Sequence, residues 1–119
     1  MANKILLVFK NSPYGSGTVA EGLRIATAMI AMDVLPQIMF IDDGVYCLVR
    51  KQKPEVAGLA SFGERLKTLA DLVGICACSN SLNRRKLKQS DLDENYNTKF
   101  LSLDEATELI KQNETIITF

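Results

Sequence analysis

The residues with the widest chemical reach are three thiols, Cys47, Cys76 and Cys78, in a chain of 119 residues without a histidine. Lacking histidine, the Ser-His-Asp and Cys-His hydrolase schemes lose their base, and zinc or iron lose their commonest nitrogen ligand. Cys78 stands apart from the other two. It ends the apolar run Ile75-Cys76-Ala77-Cys78 and directly precedes a short helical stretch from Ser79 to Arg85. A thiol at such a junction feels the positive end of the helix dipole and unpaired backbone N–H groups, which favour thiolate. Arg84 and Arg85 add positive potential only if the chain folds back there. A low-pKa, accessible thiolate attacks a sulfane donor and holds a persulfide without a general base. The competing reading is a free cysteine acting as a small buried hydrophobe.

Cys76, two residues earlier on the same strand face, sits deeper in the apolar run and is expected in the core. Cys47, beside Val45 and Leu48, reads as packing. Three cysteines at spacings unlike any zinc knuckle predict no metal site. The loop Ser12-Pro13-Tyr14-Gly15-Ser16-Gly17-Thr18 lies where related folds cradle phosphate, and its two glycines allow close backbone approach. It matches neither the P-loop nor the G-x-G-x-x-G fingerprint, so turn formation is the safer reading, with Tyr14 as a contact residue. Asp42-Asp43 reads as a helix cap. The run Arg84-Arg85-Lys86-Lys88 reads as a solvated face, or as one turned to RNA or an acidic partner.

These residues need a scaffold, and the sequence describes one. Ile5–Phe9 is a continuous apolar run, as in a strand buried on both faces. Thr18 to Met32 shows helical spacing through Val19, Leu23, Ala26 and Ile30, with Thr18 and Glu21 as a capping box. A second strand covers Ile38–Ile41, and a short helix carries Val45, Leu48 and Val49. A helix from Phe62 to Val73 opens on a Ser61/Glu64 box and stops at Gly74. Lys88 to Asn97 reads as the one extended, flexible loop. Thr98–Leu101 is a short strand, Ser102 and Glu105 box the last helix, and Thr115–Phe119 closes the chain as a strand. The alternation predicts one α/β domain over residues 1–119, flavodoxin-like, with about five mostly parallel strands and helices on both faces. The Ser12–Gly17 loop, Asp42-Asp43 and Cys78 are then expected at the carboxyl edge of the sheet.

Composition sets the bounds. Lys+Arg and Asp+Glu balance at 14 each, so net charge calls for neither nucleic acid nor an anionic membrane. No apolar stretch is long enough to span a bilayer, and no secretory leader opens the sequence. Free thiols then fit the cytoplasm.

Four segments together resemble the DsrE/DsrF-like superfamily: Ser12-x-x-Gly15 with Pro13-Tyr14, Ile41-Asp42-Asp43-Gly44-Val45, Gln52-Lys53-Pro54, and Cys78-Ser79-Asn80-Ser81-Leu82-Asn83-Arg84-Arg85. Length and the closing strand look most like its TusC/DsrF branch. The resemblance implies a sulfur-relay subunit with Cys78 as the reactive position and Ser12, Tyr14, Gly15, Asn80 and Arg85 as binding positions. It implies no cofactor. The implied partners are DsrE/TusD-like and DsrH/TusB-like subunits, or further copies in a trimer or hexamer, with sulfur donor and acceptor proteins. Nucleic acid, as tRNA under thiolation, enters only indirectly, and no membrane contact is implied. In such relays the principal carrier cysteine belongs to the TusD/DsrE subunit, aligned with Cys78, so this branch frames a partner's cysteine or carries sulfur itself. Two positions depart from the pattern: Lys86 stands where glycine is common, and Ser81 where some members have a second cysteine.

Three function classes follow. The first is a sulfurtransferase-like persulfide carrier or relay-site subunit. The second is a structural or regulatory subunit with an inert Cys78. The third, weaker, is a nucleotide or flavin module using the Ser12–Gly17 loop. An apolar face with Val45, Leu48 and Val49 is expected to meet a neighbouring subunit.

Overall fold

The computed structural model describes residues 4–13, 17–50 and 59–119, and the side chains from residue 63 in the last segment. Tyr14 and Gly15, and the Gln52-Lys53-Pro54 segment, lie outside the described residues.

Five apolar runs form one sheet: β1 (Ile5–Phe9), β2 (Gln37–Phe40), β3 (Cys76–Cys78), β4 (Lys99–Leu101) and β5 (Thr115–Thr118). They are ordered β4-β3-β2-β1-β5, and all pairings are parallel. Among the described residues four α-helices connect them: α1 (Thr18–Ala31), α2 (Leu59–Val73), α3 (Ser79–Arg84) and α4 (Leu103–Gln112). This is the α/β architecture that the alternation predicts.

The order of the strands dictates where the helices go. From β1 to β4 the chain steps across the sheet in one direction, so right-handed crossovers put α1, α2 and α3 on one face. The step from β4 to β5 runs back past β1, which sends α4 to the other face. Alternate residues of β1 show the two layers. Leu7 and Phe9 pack with Leu23 of α1, Leu66 of α2 and Leu82 of α3. Leu6 and Val8 pack with Met39, Leu101 and Ala106 of α4.

On the crowded face the rings of Phe40, Phe9 and Phe119 stack across β2, β1 and the end of β5, with centroids 5.1 Å apart in each pair. Gly22 of α1 lies against them. A Cβ there would stand 2.6 Å from both the Phe119 and Phe9 rings, so the helix seats this closely only with glycine. A similar approach occurs after β2, where Asp42–Leu48 form a 3-10 helix. A Cβ on Gly44 would meet the Phe9 carbonyl oxygen at 1.9 Å.

Several local expectations are corrected. Gly17, not Thr18, holds the N-cap of α1, and Glu21 turns its carboxylate to Arg24. Helix α2 begins at Leu59, so Ser61 lies inside it and does not cap it. The Ser102/Glu105 box does form: Glu105 N–H donates to Ser102 Oγ at 3.1 Å and Ser102 N–H to Glu105 Oε1 at 2.9 Å. The segment from Lys88 to Asn97 is not a loose loop. It contains 3-10 turns at Gln89–Asp91 and Glu94–Tyr96, and it buries Leu92 and Tyr96. Arg50 N–H to Asp91 O at 2.9 Å and Asp93 N–H to Leu48 O at 2.8 Å pin it to the chain after the first 3-10 helix. Val45 and Leu48 are fully buried within the chain's own core, and Val49 packs against it. Val45 and Leu48 thus offer no face to a neighbour, while Val49 is half-buried. Among the described residues the exposed large apolar side chains are instead Met32, Leu35, Leu72, Leu103, Ile110 and Ile116.

Candidate functional site at the carboxyl edge of the sheet

In a parallel sheet all carboxyl ends share one edge, and ligand chemistry gathers where successive connections leave to opposite faces. Here that point is the β3–β4 pair. After β3 the chain turns into α3 on the crowded face, and after β4 into α4 on the other. Cys78 is the last residue of β3, in register with Leu101 at the end of β4. It also holds the N-cap position of α3 in an extended conformation. Its side chain is 3% exposed.

The turn around Cys78 is tied to the turn after β2. Ser81, 5% exposed, accepts a hydrogen bond on its hydroxyl from Asp42 N–H at 2.9 Å. Arg85 folds back along α3, donating from Nη1 to Ser81 O at 3.3 Å and from Nε to Asp43 Oδ1 at 3.0 Å. The two crossover turns thus form one clasp, closed by Asp42, Asp43, Ser81 and Arg85. Asp42-Asp43 is therefore not a helix cap. Ile41 holds the N-cap of the 3-10 helix, Asp42 adopts left-handed backbone at φ 48°, and Asp43 serves Arg85.

Helix α3 ends in a Schellman motif. Leu87 N–H donates to Leu82 O at 2.9 Å and Lys86 N–H to Asn83 O at 3.1 Å, which places Lys86 at the position usually held by glycine. Lys86 accordingly has φ 57°. The turn keeps its left-handed geometry despite the lysine, at about 1–2 kcal/mol for an L side chain.

The remaining predicted positions are distributed around this edge. Asn80 lies in the first turn of α3 and is half-buried. Ser12 is half-buried in the chain after β1. Asn11, beside it, is brought toward the first 3-10 helix, where the Cys47 thiol faces Asn11 O at 3.9 Å. Burial pushes the Cys47 thiol up to about 12, its backbone hydrogen bond opposing the shift, so it is a packed thiol at neutral pH.

Cys76 is not in the core. It is half-buried on the α4 face, at the opposite end of β3 from the clasp, and its thiol donates to Ile38 O at 3.3 Å. Among the described helices only α4 covers that face, which leaves a groove of about 310 Å³ bordered by Gln37, Cys76, Lys99, Glu105 and Glu108. Desolvation raises the thiol to about 11, while the Lys99 ammonium pulls the other way. At neutral pH it is a thiol, and a weak nucleophile.

Sequence reasoning missed the clasp. Its bonded pairs lie 39 residues apart (Asp42 and Ser81) and 42 residues apart (Asp43 and Arg85). The only available signal was that both follow carboxyl ends of neighbouring strands.

Among the described residues, no helix is long and apolar enough to cross a membrane, and no three Cys, Asp or Glu side chains are grouped to hold a metal ion.

Comparison with known proteins places this geometry in a family. The chain is 30% identical to a TusC homolog protein of Vibrio parahaemolyticus, an alignment covering 98% of this chain and 99% of that protein. It is 32% identical to the intracellular sulfur oxidation protein DsrF of Allochromatium vinosum, covering 79% of this chain and 71% of that one. The crystal structure of the ychN protein from E. coli has the same fold, with a TM-score of 0.79 over 98% of this chain and 99% of that one, at 23% identity. The model of the DsrE/DsrF-like family matches residues 3–119, and the chain belongs to that family.

Proposed function

We propose that the chain is a cytoplasmic subunit of a sulfur-relay assembly, acting as one domain over residues 1–119, with Cys78 in the relay site. The observation that carries this reading is the place of Cys78. It stands at the carboxyl end of β3 where the crossovers diverge, and it opens the helix that the Asp43–Arg85 pair clasps. The names of the TusC and DsrF relatives support sulfur handling. Partners in this reading are DsrE/TusD-like and DsrH/TusB-like subunits or further copies of the chain, together with sulfur donor and acceptor proteins. In this reading Ser12, Asn80 and Arg85 serve as binding positions, together with Tyr14 and Gly15, which lie outside the described residues.

The chemistry is thiolate exchange. The Cys78 thiolate attacks the outer sulfur of a donor persulfide, R–S–SH. A new S–S bond forms on Cys78, the donor's S–S bond breaks, and the donor leaves as a thiolate. No external oxidant is consumed. Intact mass measured after incubation with a low-molecular-weight persulfide tests the step: wild type gains the mass of sulfur and Cys78→Ser does not. No adduct on wild type, with Cys78 alkylated by iodoacetamide in the same preparation, rejects the carrier role.

The 3% exposure of Cys78 favours a second reading, in which this chain is a structural or regulatory subunit and Cys78 is inert. In that case Cys78→Ser leaves both partner binding and sulfur flux unchanged.

A further inference from the structure

The stretch Arg84–Lys88, from the last residue of α3 onward, is unusually one-signed for a chain of zero formal net charge. Of its four cations, Arg85 is neutralised by Asp43. Arg84, Lys86 and Lys88 are exposed, and among the described residues none of them is in ion-pair contact with a carboxylate. Acidic side chains lie close by in sequence, Asp91 accepting from the Lys88 backbone N–H at 2.8 Å and Asp93 from Asn95 N–H at 2.9 Å, but neither they nor Glu94 form an ion pair with the three cations.

Lys86 adds an independent observation. At φ 57° it occupies the C′ position of the Schellman motif, where glycine would remove the strain. The side chain makes no packing contribution there, being exposed. A strained non-glycine residue that gives nothing to the fold points toward what its side chain does outside it. What it supplies is a third free cation on the ridge. Helix α3 has six residues, so the ridge stands roughly 9 Å along the helix from Cys78, at the usual rise per residue.

We infer that Arg84, Lys86 and Lys88 form a docking surface for an acidic patch on a partner protein. Three cations in five residues suit short-range steering and orientation of a protein surface. Nucleic acid is the poorer fit. Residues 79–88 contain no aromatic side chain on which a base could stack, and the chain as a whole has no excess of positive charge for a phosphate backbone. The inference goes beyond the relay reading and does not require Cys78 to carry sulfur.

Fluorescence anisotropy with a labelled glutamate-rich peptide, at low and at physiological salt, tests it on the full chain. A labelled oligouridylate serves as the nucleic-acid probe. Wild type is expected to bind the peptide with an affinity that falls as salt rises. Lys86→Gly weakens that binding several-fold while raising the thermal midpoint by a few degrees. Lys86→Gln and Arg84→Gln weaken it without raising the midpoint, and Lys86→Arg retains it. Cys78→Ser binds as wild type, so the docking surface and the sulfur chemistry stand or fall separately. Peptide binding that is absent, or indifferent to these substitutions, overturns the inference. So does tighter binding of oligouridylate that is lost in the same variants.

Discussion

Asp43 and Arg85 meet at 3.0 Å across 42 residues of sequence, joining the turn after β2 to the helix that Cys78 opens. The carboxylate is 60% exposed and the guanidinium 21%, so solvent screens the pair and its direct contribution to stability is small, at most about 1 kcal/mol. Its effect is positional. Asp43→Asn is expected to shift a urea midpoint only slightly, yet to raise the rate at which iodoacetamide reaches Cys78, followed by peptide mass mapping. An unchanged rate would show that the ion pair does not restrain α3.

Ser81 holds the other half of the clasp and is nearly fully buried. Ser81→Ala leaves Asp42 N–H without the acceptor it has at 2.9 Å. An unsatisfied backbone donor costs about 1–3 kcal/mol, so Ser81→Ala destabilises more than Asp43→Asn. Urea unfolding of the two variants side by side gives the comparison.

Gly44 is the least tolerant position described. Its backbone approaches β1 so closely that a Cβ would stand 1.9 Å from Phe9 O, a clash with main chain that no rotamer relieves. Gly44→Ala is expected to yield unfolded or insoluble protein. Gly22→Ala meets ring atoms instead, at 2.6 Å. It folds, but with a lower thermal midpoint, although the same change in an open helix stabilises by up to about 1 kcal/mol.

Alkaline pH weakens the fold. Burial raises Cys47 to about 12 and Cys76 to about 11. Burial, then the Asp93 and Cys47 charges, raise Tyr96 to about 12. Each group is held protonated by the folded state. The stability this gives is complete below the ordinary values of 9.0 for the thiols and 10.0 for the tyrosine, and is lost as pH climbs through the folded ones. Thermal midpoints measured from pH 8 upward are expected to hold until about 9 and then fall. Cys47→Ala flattens the fall. Over the same range alkylation of Cys76 accelerates about tenfold per pH unit, as its thiolate fraction does.

The order of elements was legible because apolar runs and helical spacing are local signals, and each of the five strands lies where such a run predicts it. Capping patterns were legible only in part. Ser102 and Glu105 follow a strand that delivers the chain in extended form, so their box closes. Thr18 and Ser61 match the same pattern, but Gly17 holds the cap ahead of Thr18 and the second helix begins at Leu59, so the pattern falls inside the first turns. Cys76 was misplaced for a different reason. Strand alternation assigns it a face but not what covers that face, and α4 leaves its end of β3 beside a groove. The position of Cys78 followed from the strand-to-helix junction. The clasp did not, because contacts between neighbouring crossovers have no sequence period.

The β1–β5 pairing has a consequence for how the sheet forms. Leu6 pairs with Ile116 and Val8 with Thr118, so a central strand has to wait for partners 110 residues further along the chain. Until then one edge of β1 and the ring of Phe9 lack the neighbours that Ile117 and Phe119 provide. Contacts of such long sequence separation form slowly, and open apolar strand edges attract other chains. Until β5 docks, the other four strands and their helices leave the sheet unsealed beside β1, and the segment Thr115–Phe119 acts as its latch.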